Sequence, residues 1–256
     1  MDLNYIDFMD LHNHTIWSDG THSPEKIIEN AIEHKLTAVG ISDHFQTDKC
    51  ASVSIQNLNN YIKDLERLKY KYRDKIQVYS GIEICMHKDL CDLNNLPYDH
   101  FNKLDYVLLE YIDCFKKSIK LNEIEQYTKN LKCSIGLAHT DLLHFYKNYG
   151  LNFLINKLKR NNLFWELNVN EGYEYFDEIV SSIDSWKTKR LFKHLKKNDI
   201  KISVGSDTHC LDSYNIEKLK IANMLCKHKS IKILKYDFSI SRALKLNNSI
   251  TSHYGI

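Results

Sequence analysis

Histidines and carboxylates recur in this chain at spacings that can hold metal ions. His12 and His14 flank Asn13, Asp207 and His209 flank Thr208, and Asp19 follows five residues after His14. In an extended segment residues i and i+2 point the same way, so each pair can present two donors to one ion. Asp43 adjoins His44, while Glu83, Glu110, His139 and Glu166 stand singly. Imidazole and carboxylate donors suit zinc, manganese or iron without any thiolate. Five histidines with even four of these six carboxylates exceed what one four-coordinate ion can use, so two or three ions sharing bridging carboxylates are expected. Four carboxylates and three divalent ions leave a net charge of about +2, which attracts a phosphate dianion.

Such a set works only if the fold gathers it. Seven short β-rich runs alternate with longer amphipathic segments: Ile6–Leu11, Thr37–Ile41, Ile76–Ile82, Tyr106–Leu109, Ser134–Ala138, Leu163–Leu167 and Lys201–Val204. Between them the spacing predicts helices over Pro24–Lys35, Leu58–Tyr72, Glu123–Leu131, Leu151–Lys159, Trp186–Lys197 and Ile216–Cys226. Repeated βα units in one domain, residues 1–256, predict an α/β fold, a parallel barrel that is closed or slightly distorted; an open parallel sheet fits the same alternation. Every predicted strand runs into a polar or metal-capable residue: His12 and His14, His44, Glu83, Glu110, His139, Glu166 with Asn168, and Asp207 with His209. In an α/β barrel those ends converge on one face, where active sites are built.

Each element has a plainer explanation. A single His-x-His is weak evidence, Asp43-His44 fits a helix cap, Glu83 and Glu110 fit solvated strand ends, and Asp207 is a good N-cap. Seven unrelated explanations at seven strand ends are harder to sustain than one shared site.

The stretch DLHNHTIWSDGTHSPEKIIENAIEHKLTAVGISDH resembles the opening motif of the polymerase-and-histidinol-phosphatase (PHP) family, and GIE, LAH, ELN and VGSDTH resemble its later motifs in order. The resemblance covers roughly residues 9–210. It implies a distorted (β/α)7 TIM-like barrel with a trinuclear metal site and, most often, phosphoester hydrolysis. The implied ligands are His12, His14, Asp19, His44, Glu83, Glu110, His139, Asp207 and His209. Many members carry a histidine at the end of the fourth strand; Glu110 here matches the variant of the family's manganese-dependent tyrosine phosphatases. Asp113 is the rival at that strand, on the opposite parity. Loops that hold phosphate-binding arginines in family phosphatases contain none in this chain.

Asp19, His22 and His209 are candidates for catalytic proton transfer, and Asn168, His144 and Trp17 for substrate contact. Lys49 is one of several lysines that could partner a phosphate. The segment Glu171-Gly172-Tyr173-Glu174-Tyr175 could meet a cationic group. The leading expectation is a phosphatase for a small phosphorylated metabolite, with L-histidinol phosphate the best single candidate. A nuclease or nucleotide phosphodiesterase is the first alternative, and a non-catalytic metal-stabilised barrel another. An amidohydrolase would call for a metal-bridging lysine at a later strand end, and none is present. A formal charge of +2 without a basic stripe argues against a long nucleic-acid track. No apolar run is long enough for a membrane span, and seven scattered cysteines without a CxxC pair fit a reduced, cytoplasmic protein.

Overall fold

The computed structural model describes residues 8–170, 172 and 175–229. Its strands are β1 (Met9–Asp10), β2 (Ala38–Ile41), β3 (His44–Phe45), β4 (Gln77–Ser80), β5 (Glu83–Cys85), β6 (Tyr106–Glu110), β7 (Ser134–Leu137), β8 (Leu163–Asn168) and β9 (Ile202–Gly205). All pair in parallel, in the orders β1-β2-β4 and β3-β5-β6-β7-β8-β9. Strands covered on both faces read as near-continuous apolar runs, as AVGI and YVLL do here.

The two sheets are one ring. Ser42 and Asp43 separate β2 from β3, and Gly81 and Ile82 separate β4 from β5, yet Gly81 N donates to Ile41 O (2.7 Å) and Glu83 N to Asp43 O (3.0 Å) across both breaks. At the other side Leu11 N donates to Val204 O, Asp207 N to His12 O and His14 N to Thr208 O, at 2.8–2.9 Å, which joins β9 to β1. Seven strand paths therefore close on themselves, as expected of a TIM-like barrel. The expected strand Thr37–Ile41 ends at Ile41 and resumes beyond it as β3 at His44, the expected strand Ile76–Ile82 stops at Ser80 and resumes as β5 at Glu83, and Ile6 and Asp7 of the first lie outside the described residues.

Helices cover the outside: α1 (Pro24–Glu33), α2 (Leu58–Tyr72), α3 (Tyr98–Phe101), α4 (Glu125–Thr128), α5 (Leu142–Tyr149), α6 (Leu151–Arg160), α7 (Tyr175–Ser181), α8 (Trp186–Lys197) and α9 (Ile216–His228). Ser23 caps α1 by accepting from Lys26 N, with Pro24 in the first turn, as its sequence predicts. The helix expected over Glu123–Leu131 shrinks to the single turn of α4. The α5 helix was not anticipated, although Asp141 caps it and Gly150 ends it with φ +78°.

Tyr106 sets the floor of the site. Its hydroxyl donates to Leu11 O at 2.6 Å, and its ring lies where a Cβ on Gly81 would stand only 2.3 Å away. Side chains alternate along β6, so Leu108 and then Glu110 follow Tyr106 up the barrel interior.

Candidate metal centre

The nine candidate ligands gather at the C-terminal mouth of the ring. Three sets of donor atoms lie mutually within 4.8 Å: His14, Asp19, His44 and His209; His12, His14 and Glu83; and His44, Glu83 and Glu110. His14, His44 and Glu83 each belong to two sets, so the sets form one connected cluster. The remaining two candidates join it closely: Asp207 Oδ1 lies 3.0 Å from His14 Nε2, and His139 Nε2 lies 3.1 Å from Glu83 Oε1. Asp113 stays outside; it accepts from Leu121 N (2.8 Å) and pairs with Lys120 (3.4 Å).

The donor atoms fit ions better than they fit each other. His12 Nε2 and His14 Nε2 face one another at 3.0 Å, although imidazole nitrogens gain little from such a pairing. His14 Nδ1, Asp19 Oδ1, His44 Nδ1 and Glu83 Oε2 are buried without a hydrogen-bond partner. The last two stand 2.8 Å apart in an ion-pair contact too far off axis to be a hydrogen bond. Leaving several buried polar atoms unpaired is costly, and a bound cation would satisfy them together. Among non-glycine residues, His139 (φ 28°) and Asp207 (φ 53°) take left-handed backbone conformations, as does Tyr111 (φ 61°) directly after Glu110. Such conformations cost roughly 1–3 kcal/mol each and collect at functional sites.

Protonation compensates the carboxylates in the metal-free protein. Burial lowers the pKa of His44, but Glu83 and neighbouring groups outweigh it and carry the pKa up to about 10. His12 and His139 also rise despite burial, through Glu166 and Glu83 for the first and Glu83 for the second. His14 goes the other way: burial, with the like charges of His44 and His12, pulls it down to about 3. Glu83 and Asp207 are held below the ordinary carboxylate range by the surrounding histidines, against burial. Glu110 is pushed up, first by burial and then by Glu83. Metal uptake must therefore expel protons from several of these histidines.

Several acidic residues of the motifs serve as fasteners. Asp10 accepts from Ser206 N (2.9 Å) and Ser206 Oγ (2.7 Å), tying β1 to the loop that carries Asp207. Asp43 accepts from Thr15 N, Thr15 Oγ1 and Ser18 Oγ at 2.6–2.8 Å, fixing the loop that carries Asp19. Glu166 has a role its sequence position does not reveal: Oε1 meets His12 Nδ1 at 2.7 Å, and Oε2 accepts from His139 N at 2.6 Å. A carboxylate on the far nitrogen of a ligating histidine fixes its tautomer and ring orientation.

The other singled-out residues are spread around this cluster. His209 stacks on His14 (4.2 Å between centroids) and lies 3.4 Å from Asp19; with side chains 38% and 26% exposed, this pair forms the open rim. His22 bonds Thr21 Oγ1 (2.8 Å) in the loop whose Thr21 N donates to His209 O. Trp17 turns to α2, donating to Asp64 (3.3 Å) and packing edge-on against Tyr61. Asn168 is buried; its Oδ1 accepts from Asn170 N, and its Nδ2 has no partner. A cavity of 510 Å³ opens beside His139. Tyr111, Phe115, Phe145 and Tyr175 wall it, His144, Asp141 and Glu178 reach it, and among the described residues no lysine or arginine lines it. Gly172 also borders it, whereas Glu171, Tyr173 and Glu174 lie outside the described residues.

Comparison with known proteins agrees with this architecture. The histidinol phosphate phosphatase of Lactococcus lactis subsp. lactis Il1403, solved with zinc, L-histidinol and phosphate, superposes with a TM-score of 0.61 over 90% of this chain and 96% of that one, at 17% identity. The DNA polymerase/3'-5' exonuclease PolX of Bacillus subtilis (strain 168) is 28% identical over 138 residues, which are 52% of this chain but only 22% of that protein. Residues 10–183, from the buried Asp10 past the last residue of β8, match the PHP domain family model, so the chain belongs to the PHP domain family.

Proposed function

We propose that this chain is a metal-dependent phosphomonoesterase acting on a small phosphorylated metabolite whose leaving group is compact and cationic, with L-histidinol phosphate the leading candidate. The observation that carries this reading is the connected ligand cluster opening, beside His139, onto a 510 Å³ cavity with aromatic walls and acidic residues and, among the described residues, no lysine or arginine. A cavity of that size suits a small ligand. Its lining favours a cationic organic group over a second anion, which disfavours a nucleic-acid strand. The Lactococcus protein of the same fold is solved with L-histidinol and phosphate; extending that substrate to this chain is part of the proposal.

His12, His14, Asp19, His44, Glu83, Glu110, His139, Asp207 and His209 would hold two or three manganese, iron or zinc ions. Such ions lower the pKa of a water and neutralise charge developing on the phosphoryl oxygens. Glu166 keeps His12 oriented. Asp19 and His209, on the open rim, are assigned to proton exchange with the leaving oxygen, with His22 in the loop above as the second candidate. Asn168, whose buried Nδ2 is unpaired, is assigned to substrate contact at the floor of the site, and His144 to the leaving group from the cavity wall. Trp17 contributes by positioning the Asp19 loop. Among the described residues no helix is long and apolar enough to cross a membrane, and all seven cysteines are free, which accords with a reducing cytoplasm.

The test is a panel with added manganese: L-histidinol phosphate, uncharged and anionic phosphomonoesters, a phosphodiester, and single- and double-stranded DNA. Preferential release of phosphate from the cationic monoester supports the reading. Faster degradation of DNA than of every monoester would replace it with the nuclease alternative.

A further inference from the structure

The Lys49 side chain enters the metal cluster from the loop after β3. Its Nζ lies 2.9 and 2.8 Å from the two oxygens of Glu110 and 4.9 Å from the centre of the Tyr111 ring. The loop is held in place: Thr47 bridges Cys91, Asp48 N donates to Leu90 O (2.9 Å), and Lys49 N donates to Thr47 Oγ1 (3.3 Å). The described arginines are elsewhere, Arg67, Arg73 and Arg160 paired with Asp64, Asp74 and Glu125, and Arg190 stacked on Trp186.

Glu110 is also one of the three donors, with His44 and Glu83, whose atoms converge within 4.8 Å. An ammonium bonded to both oxygens of a carboxylate covers the edge that a divalent ion would use, and two cations in one pocket repel. We propose that the Lys49 ammonium competes with a metal ion for the position between His44, Glu83 and Glu110. This rests on the metal-centre reading above. To admit the ion, Lys49 must leave Glu110; its side chain is 23% exposed, so solvent is within reach of its flexible stem. The other two donor sets do not include Glu110 and fill first. The third position is therefore the last to fill and the weakest, which makes occupancy of the complete centre depend on how much metal is available.

Calorimetric titration of the chelator-stripped full chain with Mn²⁺ tests this. The wild type should show tight binding followed by a weaker final step. In Lys49→Met that final step alone should tighten by at least about tenfold, whereas Lys49→Arg, which keeps the charge, should retain the weak step. Lys120→Met, which removes an ammonium paired with Asp113 outside the cluster, should leave the isotherm unchanged. Melting curves of the metal-free proteins verify that each variant is folded. An unchanged final step in Lys49→Met, or an equal tightening of every step, overturns the competition. If none of the proteins binds Mn²⁺ at all, the metal centre itself falls, and the competition with it.

Discussion

Replacing Glu166 with glutamine turns one buried carboxylate oxygen into an NH₂ group and leaves all nine candidate ligands in place. The wild-type carboxylate serves two partners at once, His12 Nδ1 at 2.7 Å and His139 N at 2.6 Å. Glutamine has only one acceptor oxygen, so its NH₂ must face one of the two. If that is His139 N, a buried donor loses its partner, at about 1–3 kcal/mol. If it is His12, the ring loses the carboxylate that fixes its tautomer and leaves Nε2 free for a metal. Loss of such a partner typically lowers metal affinity by about 10–100-fold, or about 1.4–2.8 kcal/mol. With its NH₂ toward His12, Glu166→Gln should bind Mn²⁺ about 10–100-fold more weakly in calorimetry; with its NH₂ toward His139 N, it should show a lower melting temperature without metal. A folded variant whose isotherm and metal-free melting curve both overlay the wild type would refute the double role of Glu166.

Glu110→Gln should lose metal and most hydrolysis while Asp113→Asn keeps its metal and does much less to hydrolysis, because Asp113, although it borders the cavity, is engaged by Leu121 N and Lys120 away from the cluster; elemental analysis and activity of the two variants decide it. Gly205→Ala should destabilise the fold by about 1–3 kcal/mol in denaturant titration, since its Cβ would stand 2.1 Å from Glu166 Oε1 and 2.5 Å from His12 Cβ. The pKa of His44 rises from 6.5 to about 10, so its stabilising contribution is fully present below pH 6.5 and is lost as pH climbs to about 10. Each such proton costs about 1.4 kcal/mol of stability per pH unit over that window. The melting temperature of chelated protein should fall across it, and that of metal-loaded protein should fall less.

Much of this was legible in the sequence because both signals are local. Apolar runs mark the strands, and His12, His14, Glu83, Glu110, His139, Asp207 and His209 stand at or just beyond their ends. The alternation along β6 puts Tyr106, Leu108 and Glu110 on one face from sequence alone. What escaped depends on distant partners. Glu166 acts on His12, 154 positions away, and a strand glutamate carries no mark of that partner. Asp10 and Asp43 sit beside ligands in their motifs, and nothing local shows that their oxygens are filled by loop N–H and hydroxyl groups. Lys49 was one lysine among many until the fold placed it on Glu110. The break after Ser80 falls inside Ile76–Ile82, which apolar periodicity reads as one run. The α5 helix has its signals in the cap Asp141, in Gly150, and in Leu142, Phe145, Tyr146 and Tyr149 at i, i+3, i+4 and i+7, a repeat only two turns long.

The central claim is that the clustered histidines and carboxylates are a metal centre that hydrolyses phosphomonoesters. Phosphate release from L-histidinol phosphate, measured against Mn²⁺ bound per chain from the stripped to the saturated protein, tests it most directly. The account predicts no release from the stripped protein and a rise once more than one ion is bound per chain. Release undiminished by stripping, or a saturated protein that hydrolyses no phosphomonoester, would contradict it.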